Sequence, residues 1–139
     1  MKLKELLEKG FGNDRNLNCA EKILYGANWA YNLQLPPEAL KLSAGLGGGL
    51  GIESICGALT GAVLVISHLY VQQYAHESDR VKILEKEFIT AFQKELGATD
   101  CHSLKAKYRN PQNGCNRIIF VAGDILDKIV AKEGIPTKK

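Results

Sequence analysis

The chain has 139 residues, with 18 Lys or Arg against 15 Asp or Glu, for a formal net charge of +3. Hydrophobic residues make up 45%, enough for a sizeable core, which excludes general disorder. The near-balanced charge argues against a nucleic-acid surface, which shows a stronger, clustered basic excess, and the length suits a single domain over 1–139.

Leu3, Leu6, Leu7 and Phe11 form a short apolar stripe, and Lys2, Lys4, Glu5, Glu8 and Lys9 alternate in sign around it. Acidic residues interrupt this segment before any apolar run forms, so it reads as an amphipathic helix and not as a secretory signal. Ala20, Ile23, Leu24, Ala27, Ala30 and Tyr31 recur at three-and-four spacing and predict a helix from Cys19 to Gln34, capped by Asn18. Pro36 and Pro37 end it, and Pro37 suits the first turn of the next helix, Glu38 to Leu46. The glycine-rich stretch from Gly45 to Gly51 reads as a turn or loop. A long helix from Ile55 to Ala75 follows, apolar on most faces, as a buried central helix is. Thr60, Ser67 and His68 interrupt it, and a membrane span needs ~20 predominantly apolar residues. No membrane insertion and a cytoplasmic location are therefore expected.

Ser78 or Asp79 is the expected cap of a helix in which Val81, Leu84, Phe88, Phe92 and Leu96 line one face. Gly97 is its stop. Thr99 or Asp100 caps a short helix over Cys101 to Lys107, and Asn110 to Gly114 is a turn by composition. A last amphipathic helix carries Ile118, Ala122, Ile125, Leu126 and Ile129 and ends at Gly134 and Pro136. No run alternates at period two. The expected class is all-α: a bundle of about six helices around a buried central helix containing glycine and alanine.

The four cysteines are Cys19, Cys56, Cys101 and Cys115. In a reducing compartment they are not expected to be structural disulfides. No two form a C-x-x-C pair, so spacing alone gives no zinc finger, thioredoxin or ferredoxin motif. They share one feature: each falls at or near a predicted helix start. The first turn of a helix has unpaired N–H groups and a partial positive charge, which favour a thiolate. The competing reading is four buried cysteines serving as small hydrophobes.

The glycine run does not make a nucleotide-binding loop. A G-x-G-x-x-G pattern fails at Leu50 or Ile52, no strand precedes it, and no G-K-[ST] follows. The steric reading is preferred: glycines let the backbone turn sharply and approach a neighbour, and here they would place Cys56. In the box Cys56-Gly57-Ala58-Leu59-Thr60-Gly61-Ala62, Gly57 and Gly61 share a helix face, at a cost of about 1 kcal/mol per glycine against alanine. Close packing of a helix or a cofactor must offset it. Thr60 either donates to a sulfur or bonds back to its own helix. His68 reads as a hydrogen-bonded core residue, His76 as solvated, and His102 as pointing away from Cys101. Tyr25, Trp29, Phe88 and Phe92 read as core.

Taken in order, Asn18-Cys19-Ala20-Glu21, the glycine run, the Cys56–Ala62 box and single Cys101 and Cys115 resemble the redox-active C_GCAxxG_C_C family. The resemblance covers nearly the whole chain. It departs at Leu50, where methionine is frequent, and in the short gap from Cys101 to Cys115. It implies a redox role for the cysteines, and related sequence joined to haem-binding regions implies electron transfer. No C-x-x-C-H is present, so covalent haem is not expected.

Three functions follow from these residues. The four cysteines could hold a metal, as a 2Fe-2S iron–sulfur cluster or a structural zinc, with Gly57 and Thr60 beside the sulfurs. They could act without metal as redox-active thiols that cycle with disulfides, with Cys56, flanked by glycine, as the attacking thiol. The chain could instead be an interaction module, a homodimer packed through the Gly57 and Gly61 face. An oxidoreductase or electron carrier with an unknown redox partner protein ranks first.

Overall fold

The computed structural model describes residues 1–136. Among them are seven α-helices and no strand: α1 (Leu3–Glu8), α2 (Cys19–Ala30), α3 (Pro37–Leu40), α4 (Gly57–Tyr70), α5 (Arg80–Leu96), α6 (Cys101–Tyr108) and α7 (Asn116–Glu133). The all-α expectation holds. A 3-10 turn over Lys41–Leu46 and an irregular turn over Gly49–Glu53 connect α3 to α4.

The helix boundaries follow local chemistry. Asn18 caps α2 with a full capping box: its side chain accepts from the Glu21 N–H at 2.9 Å, and the Glu21 carboxylate accepts from the Asn18 N–H at 2.9 Å. Asp100 caps α6 by accepting from the Ser103 N–H at 2.8 Å. Gly97 ends α5 at φ 86°. Three helices stop short of the predicted ends, among them α3, which gives way to the 3-10 turn after Leu40. The central helix spans 57–70, and α2 ends at Ala30, after which Asn32 and Gln34 take positive φ. The Asn28 carboxamide accepts the Leu35 N–H at 2.8 Å across that reversal, so a side-chain bond replaces the next helical turn.

Helix α4 sits at the centre, packed against α2, α5 and α7. Ala58, Ala62, Val65 and Ile66 are fully buried. From α5, Phe88 and Phe92 stack with ring centroids 5.9 Å apart and complete the core. Trp29 departs from the core expectation at 64% exposed. Its face of α2 is turned away from α4, and Ala20, Ile23, Leu24 and Ala27 are the buried ones. His68 is exposed as well, because α4 shows solvent a narrow strip near its C-terminal end. Among the described residues no helix is long and apolar enough to cross a membrane.

A single buried carboxylate fastens α1 and α2 to α7. Asp127 accepts the Leu3 N–H at 2.7 Å, the Lys4 N–H at 2.9 Å and the Tyr31 hydroxyl at 2.6 Å. Hydrogen bonds to a charged group are the stronger kind, and leaving these donors unpaired costs more than making them gains. Asp127→Ala is expected to cost about 3 kcal/mol and Tyr31→Phe about 2 kcal/mol in urea unfolding. Losses below half a kilocalorie in both would show that the carboxylate carries no such role.

Candidate functional site

Each cysteine lies at the start of a helix. Cys19 is the first residue of α2 and Cys101 the first of α6; Cys56 and Cys115 are the residues that precede α4 and α7. Sequence reading anticipates these positions, and the connecting segments draw them toward one another.

Segment 54–56 pairs with segment 99–101 through an isolated antiparallel bridge at Ile55 and Asp100. The Cys56 N–H donates to the Thr99 carbonyl at 2.9 Å, and the Cys101 N–H donates to the Ser54 carbonyl. Side chains alternate along extended backbone, so Cys56 and Cys101 leave this bridge on the same face, as diagonal neighbours. Gly49 makes the approach possible. A Cβ there would stand 2.7 Å from the Cys101 Cβ and 2.4 Å from the Ser54 nitrogen, and the residue sits at φ +62°. The glycine run therefore seats Cys101 as well as leading into Cys56.

Cys19 reaches the same place from α2. A Cβ on Gly57 would lie 2.5 Å from the Cys19 sulfur and 3.1 Å from the Leu46 carbonyl oxygen. The missing side chain is the space the sulfur fills. One turn along, a Cβ on Gly61 would lie 2.8 Å from the Ala20 carbonyl oxygen. The Gly57 and Gly61 face is thus covered by α2 of the same chain. That corrects the expectation of a homodimer through this face. Thr60 takes the second of its two alternatives and donates to its own helix, to the Gly57 carbonyl at 3.2 Å and the Cys56 carbonyl at 3.4 Å.

Burial decides the state of the thiols. The Cys56 side chain is 5% exposed. Burial pushes its thiol up from 9.0 to about 12; the Ala58 and Leu59 N–H groups at the helix tip pull it back, and Cys19 and Cys101 add to the rise. Cys101 is also raised, first by burial, with Lys105 opposing and Cys19, Glu53 and Cys115 adding. Cys115 is raised by burial, against Arg109, Lys105 and Lys22 and with Cys19 adding. Two expectations are corrected here. Helix tips do favour the thiolate, but desolvation outweighs them at these three sulfurs. Cys56 is also not the accessible thiol; Cys19 and Cys115 are the half-buried pair.

The field of Cys19 bears on each of the other three sulfurs. Sequence reading missed the cations beside them. Lys105 and Arg109 follow Cys101 at helical spacings, a signal that helix periodicity alone could have supplied. Glu53 joins them, 3.7 Å from the Lys105 ammonium and 3.5 Å from His102 Nδ1. Among the described residues no three His, Cys, Asp or Glu side chains stand together as a set for one metal ion. As they stand, the side chains among the described residues form no ligand set for a zinc ion.

Four helix-tip cysteines, a glycine run and a glycine notch define a cysteine-centred helical protein. The chain belongs to the family described as "Putative redox-active protein (C_GCAxxG_C_C)", which it matches over residues 17–129. No curated protein and no solved structure matches it. The matched span begins just before Cys19 and takes in all four cysteines.

Gly57→Ala forces the Cys19 sulfur out of its notch. It is expected to cost about 1–3 kcal/mol and to speed alkylation of Cys19. Gly123→Ala, whose Cβ would lie 2.9 Å from the Leu7 side chain and meets no cysteine among its nearest neighbours, is the control and leaves that rate unchanged. Equal Cys19 rates in all three proteins would refute the notch.

The folded chain holds the Cys56 proton up to about 12, while an unfolded thiol releases it near 9.0. Between those values the folded state binds more protons, so stability falls as pH rises through that window. Tyr31, Tyr70, Cys101 and Cys115 shift the same way. Comparison with Cys56→Ala isolates the one thiol: the variant is expected to lose stability less steeply between pH 9 and pH 11. Parallel slopes in urea titrations would contradict this.

Proposed function

We propose that the chain works by thiol–disulfide exchange, with Cys19 and Cys56 as the pair that opens and closes. The observation that carries this reading is the Cys19 sulfur lodged against Gly57, the residue next to Cys56. Cys19 is the half-buried member and Cys56 the buried one. Such an asymmetry divides the labour: an accessible thiol meets the partner, and a sheltered one resolves the mixed disulfide.

The exchange balances as follows. The Cys19 thiolate attacks one sulfur of a disulfide on a redox partner protein; that S–S bond breaks, and the first partner sulfur leaves as a thiolate. Cys56, giving up its proton to solvent, then attacks Cys19 and releases the second partner sulfur. The Cys19–Cys56 pair ends oxidised by two electrons, and the partner disulfide ends as two thiols. The reverse sequence oxidises the partner. A raised Cys56 pKa makes the resolving step slow near neutral pH, which suits a thiol that must not react with bulk oxidant.

Free thiols counted on the reduced chain and again after mild oxidation test the reading. Four thiols are expected to fall to two, with peptide mapping locating a Cys19–Cys56 linkage and metal analysis of anaerobically purified protein run alongside. Four free thiols under both conditions would end it.

A further inference from the structure

Three successive residues at the start of α2 each stand against a glycine of another segment. Cys19 and Ala20 meet Gly57 and Gly61 of α4, and Asn18 meets Gly47 in the connection between α3 and α4. A Cβ on Gly47 would collide with the Asn18 carboxamide and lie 2.8 Å from the Asn18 Cβ. Gly47 itself has φ -67° and ψ 158°, open to any L-residue, so the contact and not the backbone excludes a side chain there.

The Asn18 carboxamide is used at both ends. Its oxygen accepts the Glu21 N–H at 2.9 Å, and its nitrogen donates to the Ala44 carbonyl at 3.0 Å, 26 residues along the chain. The oxygen caps α2. The nitrogen ties α2 to a turn whose later residues back onto Gly57: a Cβ on Gly57 would lie 3.1 Å from the Leu46 carbonyl oxygen and 3.2 Å from the Gly47 Cα. Serine and aspartate cap a helix as well as asparagine does. Neither replaces the carboxamide, because serine has one polar atom for both partners and an aspartate carboxylate has no donor.

We propose that Asn18 is the positioning residue of the exchange pair: through the Ala44 carbonyl it fixes the start of α2 on that turn and holds the Cys19 sulfur at Gly57. The proposal rests on the thiol-exchange reading and adds what sets the readiness of the pair to close. With Cys19 already ordered against the residue that follows Cys56, closing the disulfide costs less conformational entropy. Without the Ala44 bond the reduced chain relaxes, and the disulfide must order it again.

The test equilibrates Asn18→Ser and Asn18→Asp, which keep the cap, with mixtures of reduced and oxidised dithiothreitol. As the Cys19–Cys56 bond forms, the S–S bond of oxidised dithiothreitol opens and takes up two electrons and two protons. Peptide mapping after an acid quench reads the Cys19–Cys56 linkage. The equilibrium constant for closing the pair is expected to fall about threefold in both variants, within the range of one net hydrogen bond. Tyr31→Phe, which loses a bond at the other end of α2, weakens both redox states alike and leaves the constant unchanged. An unmoved constant in both Asn18 variants, or an equal fall in Tyr31→Phe, would overturn the proposal. A parent chain that closes no Cys19–Cys56 pair would end the exchange reading instead, and alkylation of the reduced chains then decides the clamp. Cys19 is expected to react about threefold faster relative to Cys115 in both Asn18 variants; ratios equal to the parent's would overturn the clamp as well.

Discussion

Helices α2 and α4 meet along a line where Gly57 and Gly61 have no side chains to hold them apart, and the position of the Cys19 sulfur depends on that approach. Gly57 and Gly61 remove two Cβ atoms, and the Cys19 sulfur and the Ala20 backbone occupy the vacated space. Gly57 is the first residue of α4, and Gly61, inside the helix, forfeits about 1 kcal/mol of helix propensity. Burial on the same helix offsets it: Ala58, Ala62, Val65 and Ile66 are wholly out of water. Packing stabilises α4, and the notch is the feature it makes room for.

The loop before α4 carries the second constraint. Leu50 and Glu53 sit at φ 64° and 56°, in the left-handed region where a non-glycine side chain costs of order 1 kcal/mol. The chain is held there by the Ser54 N–H donating to the Gly49 carbonyl at 2.9 Å and by the bridge between segments 54–56 and 99–101. The reward is geometric: the backbone turns back on itself within five residues and delivers Cys56 against Cys101. The same turn leaves Ile52 78% exposed beside Glu53. Ile52 therefore adds nothing to the core.

Much of this was readable from sequence. Helix class, the Asn18 and Asp100 caps and the stop at Gly97 each rest on a local rule, and local rules survive folding. The placement of cysteines at helix starts follows from the same caps. What failed was set by distant contacts. Trp29 and His68 fall on apolar helices, but which strip of each helix meets solvent depends on how α2 and α4 pack. Cys56 reads as accessible because glycine flanks it, yet α2 closes over that flank. The role of Asp127 carries no local signal, because its partners Leu3, Lys4 and Tyr31 arrive from elsewhere in the chain.

The electrostatics of the site then follow from a competition between two effects of the same fold. Gathering helix N-termini brings partial positive charge toward the sulfurs, and gathering them tightly removes water. At Cys56 the second effect is the larger, since two helix-tip amides do not cancel the loss of hydration. Cations act instead on two of the other sulfurs, Lys105 on Cys101 and Arg109, Lys105 and Lys22 on Cys115. The cluster is therefore graded, with a dry, proton-holding end at Cys56 and a half-open, cation-flanked end at Cys115. A set of identical thiols exchanges in any order. A graded set is met in order, because an incoming sulfur reaches the half-buried Cys19 and Cys115 before the buried Cys56.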